Sequence, residues 1–253
     1  MTATKYNHPL LWKSLHESRT RFFILLLALI FLVAYVILTG PAFVQGYAKL
    51  HPDEPMDFNE YVWQALFNYY LQGLWILSAI ILGLGGLLRE HELGVSMFTL
   101  SLPVSRKHLI KIRFLLGVVQ TALLGVLPAV LIPLFSNWVG YEYSMLNSIG
   151  FSLLMVTAGM IIFSFTLLLS CIFSGEFTAF LISVVTVGSV FFIMKGRSIH
   201  QYSLFDIMNG AKSINPKTHL IAYSLPWIGL FICIIITLSF YVLSVKFIEK
   251  RDL

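Results

Sequence analysis

His91-Glu92-Leu93-Gly94-Val95 opens as a zinc-protease motif opens, with a histidine beside a glutamate. That motif needs a second histidine four residues after the first to complete one metal-binding face, and position 95 is Val95, so the pattern fails. Gly83-Leu84-Gly85-Gly86 is rich in glycine, but it has neither the lysine nor the hydroxyl of a phosphate-binding loop and it falls in an apolar run. Close helix packing, with Ala79 one turn before Gly83, is the better reading. Cys171 and Cys233 both lie in apolar runs, where a thiol behaves as a small hydrophobe rather than as a metal ligand or half of a disulfide. No catalytic residue and no metal site is expected.

The elements that must carry any function are membrane spans. Hydrophobic residues make up 58% of the 253 and charged residues 11%, against roughly a quarter charged in an ordinary soluble domain. A chain with a mean hydropathy of +0.84 cannot present a wetted surface. A hydrocarbon core about 30 Å thick takes about 20 helical residues, and apolar stretches of that length lie near 22–43, 66–88, 112–135, 149–173, 177–194 and 222–245. The fold class expected is an all-α integral membrane protein, one six-span domain over 1–253. The first apolar run begins only at Phe22 and is too long for a signal-peptide core, so the first span is expected to remain.

The loops set the orientation. With the N-terminus inside, the inner segments hold Lys5, Lys13, Arg19, Arg21, Arg89, Arg106, Lys107, Lys111, Arg113, Lys246, Lys250 and Arg251, which is 12 of the 17 cations. Both termini are therefore expected in the cytoplasm, in a multi-pass protein of the plasma (inner) membrane. The net charge of +5 reads as this asymmetry and not as a nucleic-acid surface. No Asp, Glu, Lys or Arg stands well inside a span, Arg113 being at an end where it can snorkel.

Before the first span, Leu11, Trp12 and Leu15 share a helical face, which reads as an amphipathic interfacial helix starting after Asn7 with Pro9 in its first turn. The outer connection 195–221 holds Gly196, Gly210 and Pro216 and a short helix around Leu204 to Met208. It either spaces two helix ends or dips back toward the membrane. Ser213 within it is a place where an introduced cysteine should meet an impermeant reagent from outside. Thr178, Ser183, Thr186 and Ser189 either line a polar path along span five or bond their own backbone one turn back.

The most informative stretch lies between spans two and three. It mixes charge with Leu93, Phe98, Leu100, Leu102 and Val104, an apolar set that solvent alone would not favour. Pro103 fixes its own φ and pushes Leu102 out of the helical region, so the chain turns there. Ser105 can then cap a helix starting near Arg106. A short helix over roughly Gly94 to Leu100 would present Val95, Phe98 and Leu102 outward.

Glu90 or Glu92, then Gly94, then Leu100-Ser101-Leu102-Pro103-Val104-Ser105-Arg106, then Lys111, resemble the turn between the second and third spans of permease subunits of type-2 ATP-binding-cassette (ABC) exporters. Val95 stands where that family often has threonine, and Arg113 where it often has lysine. The six-span plan, the N-terminal helix and the ending Phe247-Ile248-Glu249-Lys250-Arg251-Asp252-Leu253 extend the resemblance over nearly the whole chain. It implies a cytoplasmic coupling helix that docks a separate ABC ATPase subunit through Glu90, Glu92, Gly94, Val95, Phe98, Leu102, Pro103, Ser105 and Arg106. Glu90 and Glu92 are candidates to pair with Arg19, Arg21 or the ATPase. Glu176, the only acid between spans four and five, is either a second, smaller contact to the ATPase or part of a bare turn.

By the same resemblance, the chain binds no cofactor itself, and ATP and Mg belong to the partner. A second copy or a related permease completes the pathway, among membrane lipids and with no nucleic acid. Two other readings remain at this point. An intramembrane protease or lipid transferase would need titratable groups converging at membrane depth, and a self-gated channel would not need an apolar, proline-turned cytoplasmic segment.

Overall fold

Asp57 opens the second crossing well before the apolar run near position 66 begins. Its extended backbone (φ −79°, ψ 153°) and its side chain, which accepts from Phe58 N at 2.8 Å, make it the N-cap of a helix. Glu60 three residues later completes an Asp-x-x-Glu start signal of the capping-box kind. A computed structural model of the chain describes residues 7–84, 106–173, 175–196, 203–216, 218–221 and 225–250. In it α1 runs Asn7–Leu50, α2 Phe58–Val62, α3 Leu71–Gly83, α4 Arg106–Trp138, α5 Met145–Ile172, α6 Glu176–Gly196, α7 Leu204–Met208 and α8 Trp227–Lys250. A π-helical segment, Trp63–Tyr70, joins α2 to α3 in one crossing.

Among the described residues there are six helices long and apolar enough to span a membrane, as the hydropathy pattern predicts, and no strand beyond one isolated bridge, Ile214 with Ile221. The helices outrun the apolar windows. With 44 residues at about 1.5 Å each, α1 is roughly 66 Å long, about twice the hydrocarbon thickness. Much of the excess precedes Phe22, so the expected N-terminal helix and the first span are one unbroken helix, with Trp12 exposed on its early turns. Helix α4 likewise passes through Pro128 and Pro133 without ending. The helix of the sixth span, α8, starts at Trp227, behind Pro226, rather than near 222.

Helix α5 is the hub, packed against α3, α4, α6, α7 and α8. Two-thirds (67%) of its apolar window is buried, against 11% for α6 and 22% for α8, which places those two at the periphery. Small residues let the inner helices approach closely. Trp75 of α3, 1% exposed, lies in a notch between Gly125 of α4 and Gly159 of α5. Gly83 sits against α5, where a Cβ would come within 2.9 Å of Phe163 O and 2.8 Å of Thr166 Cβ, so this glycine serves packing as its setting in an apolar run implies. Outward-facing Phe31, Phe192, Ile228 and Phe231 are 64–79% exposed, a surface suited to lipid rather than water.

The connection after α6 turns into the bundle. Trp63 Nε1 donates to Asn209 O (3.0 Å), Gln72 Nε2 to Phe205 O (3.0 Å) and Asn209 Nδ2 to Asn68 Oδ1 (2.8 Å). Gly210, at φ +70°, lies against Phe151 and Leu154, where any side chain would be both strained and crowded. The short helix falls at Leu204–Met208 as the sequence suggests, with Phe205 and Met208 buried. Ser213 is only 4% exposed, so an introduced cysteine there would be shielded, whereas Ala211, two residues earlier, is exposed.

Candidate functional site

The first turns of α1 and α4 and the last turns of α8 converge, which puts both described termini at one end of the bundle. This end collects the basic residues of Arg19 and Arg21, of 106–113, and of Lys246 and Lys250. Four polar links tie its helices together. Arg21 of α1 pairs with Glu176 at the start of α6, Lys107 of α4 with Glu249 of α8 (2.6 Å), and Arg113 of α4 with Glu17 of α1 (3.6 Å). Gln120 Nε2 of α4 donates to Ser18 Oγ of α1 (2.8 Å). Ile110, Cys171 and Ile248 form a small apolar cluster that joins α4, α5 and α8 beside them.

These links differ in weight. Lys107 and Glu249 are 62% and 38% exposed, so their pair contributes little against solvent and salt. Arg21 and Glu176 are 24% and 23% exposed and face a cavity of about 500 Å³ walled by Ile81, Leu84, Phe177 and Phe180. There the loss of one partner strands a charge in poor solvent. The cavity lies where the chain leaves α3, just before 85–105.

Of the residues expected to dock an ATPase, Glu90, Glu92, Gly94, Val95, Phe98, Leu102, Pro103 and Ser105 lie outside the described residues. Arg106 is the first residue of α4, the helix start anticipated after Ser105. Glu176 is held within the chain by Arg21, a cation that the sequence offered to Glu90 or Glu92. Among the hydroxyls of span five, Ser183 is fully buried and donates to Ala179 O one turn back at 2.7 Å. Thr178 and Ser189 are exposed and Thr186 is half-buried, and none of the three makes a side-chain hydrogen bond among the described residues. At 100° per residue these three share a face that excludes Ser183. The inter-helix links of Glu17 with Arg113 and of Ser18 with Gln120 were not legible in the sequence, because nothing local tells which distant helix a polar residue meets.

Six apolar helices, an apolar outer surface and a polar-linked basic end define a multi-pass membrane protein. The family model described as ABC-2 family transporter protein matches residues 58–249, so the chain belongs to that family and is the membrane subunit of an ABC transporter. No curated protein and no solved structure matches the chain.

Proposed function

We propose that this chain forms the translocation path of an ATP-driven exporter of the plasma (inner) membrane and is driven by a separate ABC ATPase subunit, which supplies ATP and Mg. The observation that carries this reading is the basic end. Residues 85–105 connect α3 to α4, and α4 is tied by polar pairs to α1 and α8, and through α1 to α6. A push on that connection therefore reaches helices on both flanks of the bundle. The family membership supports an ATPase as the source of the push.

In this reading Glu90, Glu92, Gly94, Val95, Phe98, Leu102, Pro103, Ser105 and Arg106 form the docking segment, acting mechanically rather than by bond chemistry. A second copy or a related permease faces α6. The low burial of α6 and its unengaged hydroxyls at Thr178, Thr186 and Ser189 support a path or partner on that face. Replacing Phe98 and Leu102 with Asp is expected to abolish co-purification of the ATPase while leaving membrane insertion intact. Normal association of the double variant would remove the docking assignment.

The basic end faces the cytoplasm in this reading, as the distribution of Lys and Arg supports. A cysteine introduced at Ala211, in a variant with Cys171 and Cys233 replaced by alanine, is expected to react with an impermeant maleimide added to intact cells. Labelling only after permeabilisation would invert the orientation.

A further inference from the structure

At the end of the bundle opposite the basic one, the inturned loop encloses a second cavity, of about 210 Å³, between the π segment and α3 on one side and the last turns of α6 on the other. Asp206, Asn68, Asn209, Gln72 and Ser203 supply its polar lining, and Tyr69, Phe191 and Phe205 its aromatic rings. Among the described residues no Lys, Arg or His lines it. Asp206 has no hydrogen-bond or ion-pair partner for its carboxylate among the described residues, although three neighbouring amides are engaged in holding the loop. Gln72, 4% exposed, uses its Nε2 on Phe205 O, and its amide oxygen has no donor among the described residues.

A carboxylate and an amide oxygen set among aromatic faces, with no cation among the described residues to balance them, are the complement of a positive charge on a weakly hydrated group. The volume limits what enters. Pockets that enclose a drug-sized molecule run to roughly 300–1,000 Å³, so this one admits a head group and leaves the rest of the ligand outside. The outside is apolar, for Phe192 and Ile193 beside it are 73% and 58% exposed and Tyr69 at its edge is 60% exposed.

The geometry points to a binding site for the ammonium head of an amphiphile, with Asp206 as counter-charge, Tyr69 and Phe191 as aromatic walls, and the apolar tail lying outside the cavity along the exposed apolar side chains of α6. That the occupant is exported cargo rests on the exporter reading; its binding does not. A phospholipid headgroup such as choline and a free amphiphilic amine share this chemistry.

The full-length protein in phosphatidylglycerol nanodiscs, titrated with radiolabelled dodecyltrimethylammonium and corrected with empty nanodiscs, tests it. Saturable binding is expected, unaffected by the uncharged competitor dodecanol and weakened about ten-fold or more in Asp206→Asn, the scale of one lost charge contact. Tyr69→Lys, at a position exposed enough to leave packing alone, is expected to weaken binding as strongly and serves if Asp206→Asn does not fold. Displacement by phosphatidylcholine mixed into the nanodiscs assigns the site to a lipid headgroup, and persistence assigns it to a free amine. Unchanged binding in a folded Asp206→Asn or Tyr69→Lys protein, or equal displacement by dodecanol, overturns the site. No ATPase or nucleotide enters the assay, so failure of the exporter reading would leave its result standing.

Discussion

Gly159→Val is expected to lower the melting temperature of the detergent-solubilised protein by roughly 6–12 °C. A Cβ at position 159 would fall 2.0 Å from Trp75 Nε1 and 2.8 Å from its Cδ1. The indole has little room to retreat across the notch, because its far side lies against Gly125 on the opposite helix, so close that a Cβ there would stand 2.9 Å from the ring. Either the ring leaves its rotamer or α3, α4 and α5 separate. Overpacking of this kind costs about 3 kcal/mol at the upper end of its usual range, and each kcal/mol is worth about 2–4 °C in a chain of this size. Gly73→Val, on the same crossing as Trp75 but with nothing within 4 Å of its added Cβ, is the control and should melt within a degree or two of the parent. Equal melting of the two variants would mean that α3, α4 and α5 do not meet at this notch.

Arg21→Glu is expected to reduce transport about ten-fold or more, and Arg21→Glu with Glu176→Arg to recover most of it. The single change sets two carboxylates face to face beside the cavity under α3. With both partners about three-quarters buried, the cost lies between that of an exposed pair, about 0–1 kcal/mol, and that of a broken buried pair, about 3–5 kcal/mol. The consequence should be mechanical more than structural, since this pair directly links α1 to α6 while α5 holds the core. Transport into inverted vesicles, measured beside melting temperature, separates the two effects. A double exchange that stays as inactive as Arg21→Glu, at parental melting temperature, would show that the link does not carry motion.

The rank order of the remaining links follows from exposure. Lys107 with Glu249 sits largely in solvent, so its removal should matter less than that of Arg21 with Glu176. High salt should widen the difference, because screening removes the exposed pair's contribution before the buried pair's. Arg113, 10% exposed in its side chain, is the cation at a span end that the sequence marks as able to snorkel, and it does reach a partner, Glu17.

Sequence alone determined the six crossings, because each is a local property: about 20 apolar residues in a row have one way to satisfy their backbone in lipid. It also supplied the family through the segment from Glu90 to Arg106 and the short helix at Leu204–Met208, both written in neighbouring residues. The early start of the second helix is a local feature as well, the cap at Asp57, but a hydropathy window opens only where the apolar run does. What only the tertiary structure decided was which polar residues meet. Asn68 and Asn209 are 141 positions apart, Gln72 and Phe205 133, and Arg21 and Glu176 155. Hydropathy measures how readily a segment enters lipid and is blind to its partners. It therefore left the loop that carries Asp206 open between a spacer and a segment that dips back, and the amides around it and the free φ of Gly210 fold it into the bundle.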